Sequence, residues 1–401
     1  MASRVTRLAL LARFALLAAS LSGQTEKTLH NFNTLDGSSP QSGLTMDAAG
    51  NLYGTTAEGG TYGAGEVFEL SPNGSGGWTE TVLYSFTGGA DGSTPFSSGV
   101  IFDSSGNLYG TTVTGGAKNK GAVFELRPAA TGWSERVLYS FQSGNDGALP
   151  YAGLVFDPAG NLYGATYQGG HYSVGTVFEL SPSGHGQWTE KVIHAFFGND
   201  GEGPLGSLTI DSNGNLYGTT FSGGSHNYGV AYRITPSSTG TWTESVLHAF
   251  TGGGDGGWPN AMRPALDSSG SIFGTTQVGG AFGSGTVWRL YSAGGAWREQ
   301  VLYSFEGNVA DSPVSGVVFD AAGNLYGTCS NLTGGITSVG AVYELIRQSS
   351  GRWNGTILHA FFGADGAYPV GPVLLDAAGN LYGTTSLGGA GKAGVVFEIT
   401  P

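Results

Sequence analysis

Three features of the sequence together predict an all-β fold, a seven-bladed β-propeller. One hairpin motif returns seven times at spacings of 53–56 residues, four strand-like runs fill each period, and the chain opens with the strand that its last period lacks. The motif reads DAAGNLYGTT at 47–56, recurs letter for letter at 376–385, and reads DAAGNLYGTC at 320–329. Its aspartate falls at Asp47, Asp103, Asp157, Asp211, Asp267, Asp320 and Asp376, and a glycine follows three residues later in every copy. Asparagine comes next in six copies, with Ser271 in the fifth. Asp can cap the amides of its own turn, and Gly supplies the left-handed conformation that closes such a hairpin.

Taken in chain order, the first 22 residues stand apart. Arg4 and Arg7 precede an apolar run from Leu8 to Leu21 and small residues follow, the layout of a secretory signal peptide too short to span a bilayer. Export to the periplasm, the medium or the cell surface is therefore expected, with residues 24–401 forming one domain. In the second period the runs are 98–103 (a), 107–112 (b), 121–128 (c) and 133–141 (d), each rich in Val, Ile, Phe, Tyr or Thr and bounded by Gly, Pro or Asn. A four-stranded antiparallel repeat of this size is a propeller blade. The chain ends on a c run, AGVVFEITP, and its missing d run is TEKTLHNF at 25–32. Closing a ring with that strand removes two exposed sheet edges.

Repetition itself has a physical reason, since a blade cannot bury its faces alone and each neighbour must offer the same complementary surface. The tryptophans opening the d runs (Trp78, Trp133, Trp188, Trp242, Trp297 and Trp353) are accordingly expected to pack between blades. The position two before the closing Phe holds His30, Tyr84, Tyr139, His194, His248, Tyr303 and His359. Exchange of His with Tyr argues for an amphipathic packing slot, not a set of metal ligands. The lone cysteine, Cys329, replaces a repeat threonine and reads as a small buried hydrophobe.

Composition excludes several functions. The chain has 401 residues, 73 of them Gly, a formal charge of −13 and only 11% charged residues. Nucleic acid and anionic lipid both need clustered Lys and Arg, so neither is an expected partner. No run outside the leader approaches a membrane span, and a monomer is expected.

The pattern DAAGNLYGTT..GG......G.VFEL.P resembles the GloVer-type tandem repeat of exported bacterial proteins, over all seven periods. The resemblance implies the repeat fold and no established activity, cofactor or catalytic residue. Such proteins often carry a C-terminal surface anchor, and none is expected after the last c run.

In an up-down meander the a–b and c–d turns share one face, and the b–c and d–a loops share the other. The second set varies, and variable loops on a rigid scaffold are where binding resides. The d–a loops carry Asp36, Asp91, Asp146, Asp200, Asp255, Asp311 and Asp365, six of them followed by Gly. They read as Asx-turns; a second reading has them ring the channel mouth and attract a cation such as calcium. The b–c loops place Tyr62, Lys118, Lys120, His171, Tyr172, His226, Tyr228 and Phe282 on that rim, and the d–a loops add Trp258 and Tyr368. Exposed aromatics with few charges suit stacking on sugar rings or binding a peptide; alternatively they cover the glycine loops or one another.

Catalytic motifs are thin: no P-loop, no dinucleotide fingerprint and no His-Glu-x-x-His, while DSNGN at 211–215 lacks the Gly and Glu of a calcium loop. No catalytic residue is assigned. A non-catalytic binding propeller for carbohydrate or peptide is the leading expectation. The alternatives are a polysaccharide lyase or glycosidase using His171 or His226, and a protein-interaction module at the cell envelope.

Overall fold

The computed structural model describes residues 24–96, 99–259, 263–307, 311–331 and 339–400; the leader, 1–22, lies outside them. Among the described residues no helix is long and apolar enough to cross a membrane. Seven antiparallel sheets follow one another in the order a-b-c-d: blade 1 spans 45–85, blade 2 101–140, blade 3 155–195, blade 4 209–249, blade 5 265–304 and blade 6 318–360. Blade 7 joins Leu374–Leu375, Leu381–Thr385 and Val395–Thr400 to the N-terminal strand Thr25–Asn31, which pairs antiparallel with Val395–Thr400. Blade 6 gains a fifth strand, Asp311–Pro313, beside Leu325–Asn331.

Strand b is the most deeply buried element, and all five of its residues are sealed in blades 1 to 4. Its glycine is required by a close approach. Gly110 pairs with Phe124 of strand c, whose ring end would lie 2.6 Å from an added Cβ. Strand a is shorter than expected, Ile101–Phe102 where 98–103 was predicted. The reason is crowding where successive blades meet: the segments entering strand a pack across blades, Gly43 against Pro372 and Gly99 against the Gly43 carbonyl. Their backbone is used between blades and not within the sheet.

The blades are joined by aromatic edges. The closing Phe of each d strand meets the aromatic of strand c in the next blade: Phe86 on Phe124, Phe141 on Phe178, Phe196 on Tyr232, Phe250 on Trp288, Phe305 on Tyr343 and Phe361 on Phe397, at 5.0–5.5 Å between centroids. Phe32, from the N-terminal strand, makes the seventh such contact with Phe68 at 5.0 Å. The d-strand tryptophans also pack between blades as expected. Trp78 lies on Tyr382, Trp188 on Tyr109, Trp242 on Tyr163 and Trp297 on Tyr217. Cys329 is fully buried and burial pushes its thiol pKa up to about 12, so it is inert packing.

The a–b turn is built around its aspartate. Asp103 Oδ1 accepts the Ser105 and Asn107 amides, and Oδ2 accepts Asn107 Nδ2 at 2.8 Å and Tyr109 Oη at 3.1 Å. Asp103→Ala is expected to cost about 2–3 kcal/mol by orphaning these donors, read as a lower urea midpoint at unchanged slope; an unchanged midpoint would show that the bonds are dispensable.

Candidate functional site

The rim formed by the b–c and d–a loops carries the predicted residues, and two groups of them meet. Trp258 stacks with Tyr228 at 6.0 Å and with Phe221 at 5.9 Å. Tyr228 also lies over the d–a loop, where a Cβ on Gly252 or Gly257 would come within 2.6 Å of its ring. His171 meets Tyr172 edge-on at 4.7 Å, and Tyr172 approaches Phe197 at 6.1 Å. Tyr62, Phe282 and Tyr368 are exposed and make no ring contact among the described residues. Tyr62 borders a shallow groove with Val82, Tyr84 and Thr87. His226 is exposed and bonded through Nδ1 to Ser225 Oγ at 2.9 Å.

Sequence reasoning missed Phe221, Phe197 and a second aromatic chain, Phe96 to Tyr151 at 5.3 Å and Tyr151 to Tyr167 at 5.6 Å. A signal was present. Tyr167 and Phe221 follow strand b directly, where other repeats carry Ala57, Val113, Gln277, Ser330 and Ser386.

Backbone geometry sharpens the choice among rim residues. One position of the d–a loop is left-handed throughout: Ser39, Thr94, Leu149, Gly203, Trp258, Ser312 and Tyr368 have φ between 53° and 62°. A bulky aromatic there is unfavourable by about 1–3 kcal/mol, yet Trp258 (φ 55°) and Tyr368 (φ 56°) hold it with 38% of their surface exposed. The loop is pinned, since the Trp258 amide donates to the Tyr228 carbonyl at 2.8 Å and the Tyr368 amide to the Val339 carbonyl at 2.7 Å.

The d–a aspartates lie beside the outermost strand, not beside the innermost strand as the channel-mouth reading had placed them. Asp91 accepts the Thr87 amide and Tyr84 Oη, and Asp146 accepts the Gln142 amide and Tyr139 Oη. Asp200, Asp255 and Asp365 bond the loop amide at 2.8–3.1 Å and His194, His248 and His359 at 2.8–3.0 Å. Asp36 holds the Asn33 amide and stands 3.4 Å from His30. Asp311 instead lies in the extra strand of blade 6. The turn reading accounts for the bonds of the other six, because each carboxylate closes its own loop.

A third residue joins from the next blade, a glutamate two positions after the d-strand Trp: Glu80, Glu135, Glu190, Glu244 and Glu299. Each keeps one buried oxygen without a hydrogen-bond partner. Desolvation first, then the neighbouring carboxylates, raises each of their pKa values to about 7. At one interface His194, Asp200 and Glu244 bring their ligand atoms within 4.8 Å of one another, the one group among the described residues that could hold a metal ion. Tyr stands for His in the equivalent cluster of other blades, which favours an inter-blade contact over a metal centre.

A closed ring of seven near-identical blades, with aromatics displayed on one rim, defines a repeat propeller. The model of the Gloeobacter/Verrucomicrobia repeat matches residues 75–262 and 243–401, and the chain belongs to that family. No curated protein matched. Several solved structures align with the chain. An ancestral GH74 enzyme aligns at a TM-score of 0.52 and 13% identity, over 90% of this chain and 50% of that one. A candidate oxidoreductase (glucose dehydrogenase) from Thermus thermophilus aligns at 0.46 and 14%, over 94% and 100%. A protein of unknown function from Dyadobacter fermentans aligns at 0.47 and 11%, over 94% and 99%.

Proposed function

We propose that the protein is an exported, non-catalytic binding propeller whose b–c/d–a rim holds a carbohydrate or an extended peptide. The observation that carries this reading is the pair of large aromatics, Trp258 and Tyr368, kept half-exposed at a left-handed backbone position that no aromatic occupies in the other repeats. Backbone strain retained at a solvent-facing aromatic points to a role in recognition. Trp258, backed by Phe221 and Tyr228, offers a stiff apolar surface that loses little side-chain entropy when a sugar ring or a peptide side chain settles on it. The acid–base alternative has less support, because His171 and His226 have no carboxylate partner among the described residues. Export rests on the leader at 1–22.

The test is a glycan and peptide binding array on 24–401, followed by titration of the best ligand against Trp258→Ala/Tyr228→Ala. The double variant is expected to bind at least about 30-fold more weakly, as for a hot-spot pair. Binding that survives unchanged removes the rim assignment, and time-dependent product release from a glycan would turn the reading to catalysis.

A further inference from the structure

The repeat is broken at the contact of blades 5 and 6, and two of its departures, Phe273 and Arg289, line one cavity. In six of the a–b turns the aspartate Oδ2 accepts an Asn amide and a Tyr hydroxyl, as in Asp47 with Asn51 and Tyr53. In blade 5 both donors are missing, because Ser271 and Phe273 stand in their places. Asp267 Oδ1 still closes the turn through the Ser269 and Ser271 amides. Its Oδ2 is left facing Arg289, 3.9 Å away and beyond hydrogen-bond distance.

Arg289 is itself a departure, occupying the strand c position where blades 1, 2, 3, 6 and 7 have Glu. Its guanidinium lies over Phe273 at 5.6 Å, donates to Ser271 Oγ at 2.7 Å, and keeps a buried Nε without a partner. Across the interface blade 6 has Gly355 where the other blades carry the inter-blade Glu, and the Tyr303 ring fills the space above it. Two of these changes, Phe273 and Arg289, line a cavity of about 220 Å³ together with Asp267, Gln300, Arg347 and Trp353 among others. It opens among the a–b and c–d turns, on the face opposite the aromatic rim.

We propose that this cavity is a second ligand site, for a monosaccharide-sized polyhydroxy carboxylate, that is, a sugar acid. Its volume lies below the roughly 300 Å³ at which drug-sized ligands begin to fit. Two arginines against one aspartate leave the lining with one net positive charge, and a guanidinium matches a carboxylate with two parallel donors. Asp267 Oδ2, ion-paired with Arg289 but without a hydrogen bond, and Gln300 are placed to bond hydroxyls, while Phe273 and Trp353 supply apolar surface for the ring. The substitutions are mutually consistent: a tyrosine at 273 would return a donor to Asp267, and a glutamate at 289 would remove the anion-binding charge. The inference stands apart from the reading of the rim.

Calorimetric titration of 24–401 with sodium glucuronate, and with glucose at matched ionic strength, tests it. Saturable glucuronate binding is expected, at least tenfold tighter than glucose. Arg289→Met should weaken it at least tenfold, and so should the triple change Ser271→Asn/Phe273→Tyr/Arg289→Glu, which restores the residues that five of the other six repeats carry and so keeps the fold. Should Arg289→Met fail to fold, the triple variant decides. Trp258→Ala, on the opposite rim, should bind glucuronate as the parent does. No saturable binding to the parent, equal affinity for glucose, undiminished binding to the triple variant, or loss in Trp258→Ala would each overturn the assignment.

Discussion

Raising the pH from 5 to 8.5 is expected to lower the thermal midpoint by roughly 6 °C, with the inter-blade glutamates as the cause. Glu80, Glu135, Glu190, Glu244 and Glu299 each present a sealed oxygen to the aspartate of the preceding blade, and their pKa values rise from 4.5 to about 7. Burial is the first cause. Asp36 and Glu66 add to it at Glu80, and Asp91, Asp146, Asp200 and Asp255 at the others, while His194 opposes at Glu244. The folded pKa lies above the unfolded value, so the folded state holds the proton more tightly. This stabilisation is complete below about pH 4.5 and is lost as the pH climbs through 7.

A sealed group shifted this far would contribute about 3 kcal/mol; these side chains are only half-buried, and about 1 kcal/mol apiece is a fairer figure after screening. An opposite trend sets in at lower pH. The turn carboxylates Asp47, Asp103, Asp211, Asp320 and Asp376 have lowered pKa values despite partial burial, because turn amides, Asn and Tyr bond the charged form. Their stabilisation is present above about pH 4 and disappears as the pH falls below it. Stability is therefore highest near pH 5. Replacing the five glutamates, and Glu26 at the same position of blade 7 where burial also raises the pKa, by Gln fixes the neutral form and should flatten the curve between pH 5 and 8.5. A slope that persists in that variant would place the titration elsewhere.

Phe32→Ala is expected to cost about 3–5 kcal/mol. Phe32 is fully buried, edge-on to Phe68 of blade 1, and its amide donates to the Gly394 carbonyl, so it ties the N-terminal strand to both flanks of the closure. Phe86→Ala, which removes the equivalent contact between blades 1 and 2, should cost the same within about 1 kcal/mol, since the two sites share their chemistry. Exposed Phe197→Ala should change stability by no more than about 0.5 kcal/mol. Chemical denaturation of the three variants reads this directly. A much smaller loss for Phe32 than for Phe86 would mean that the ring holds without its N-terminal strand. The Phe32 variant should also self-associate at high concentration, because a loosened latch uncovers the edge of Val395–Thr400.

Much of this architecture is legible in the chain because its determinants are local. An Asp, a Gly three residues on and an Asn form a hairpin by bonding one another, and counting them yields seven blades. The d run at 25–32 and the c run at the other end disclose the closure, since each needs the partner that the other supplies. Tertiary structure alone decided what the repeated polar residues do. Glu80 and its equivalents look like the solvated face of an edge strand, and only the neighbouring blade turns them into half-buried partners of Asp36, Asp91 and the rest. The short strand a has the same origin, its backbone being drawn into contacts across blades. Ser271, Phe273, Arg289 and Gly355 lie up to 84 positions apart and look like scattered lapses in a repeat. Packing brings them to one interface, where Phe273 and Arg289 line a cavity and Tyr303 fills the space at Gly355; which departures coincide in space is a property of the folded ring.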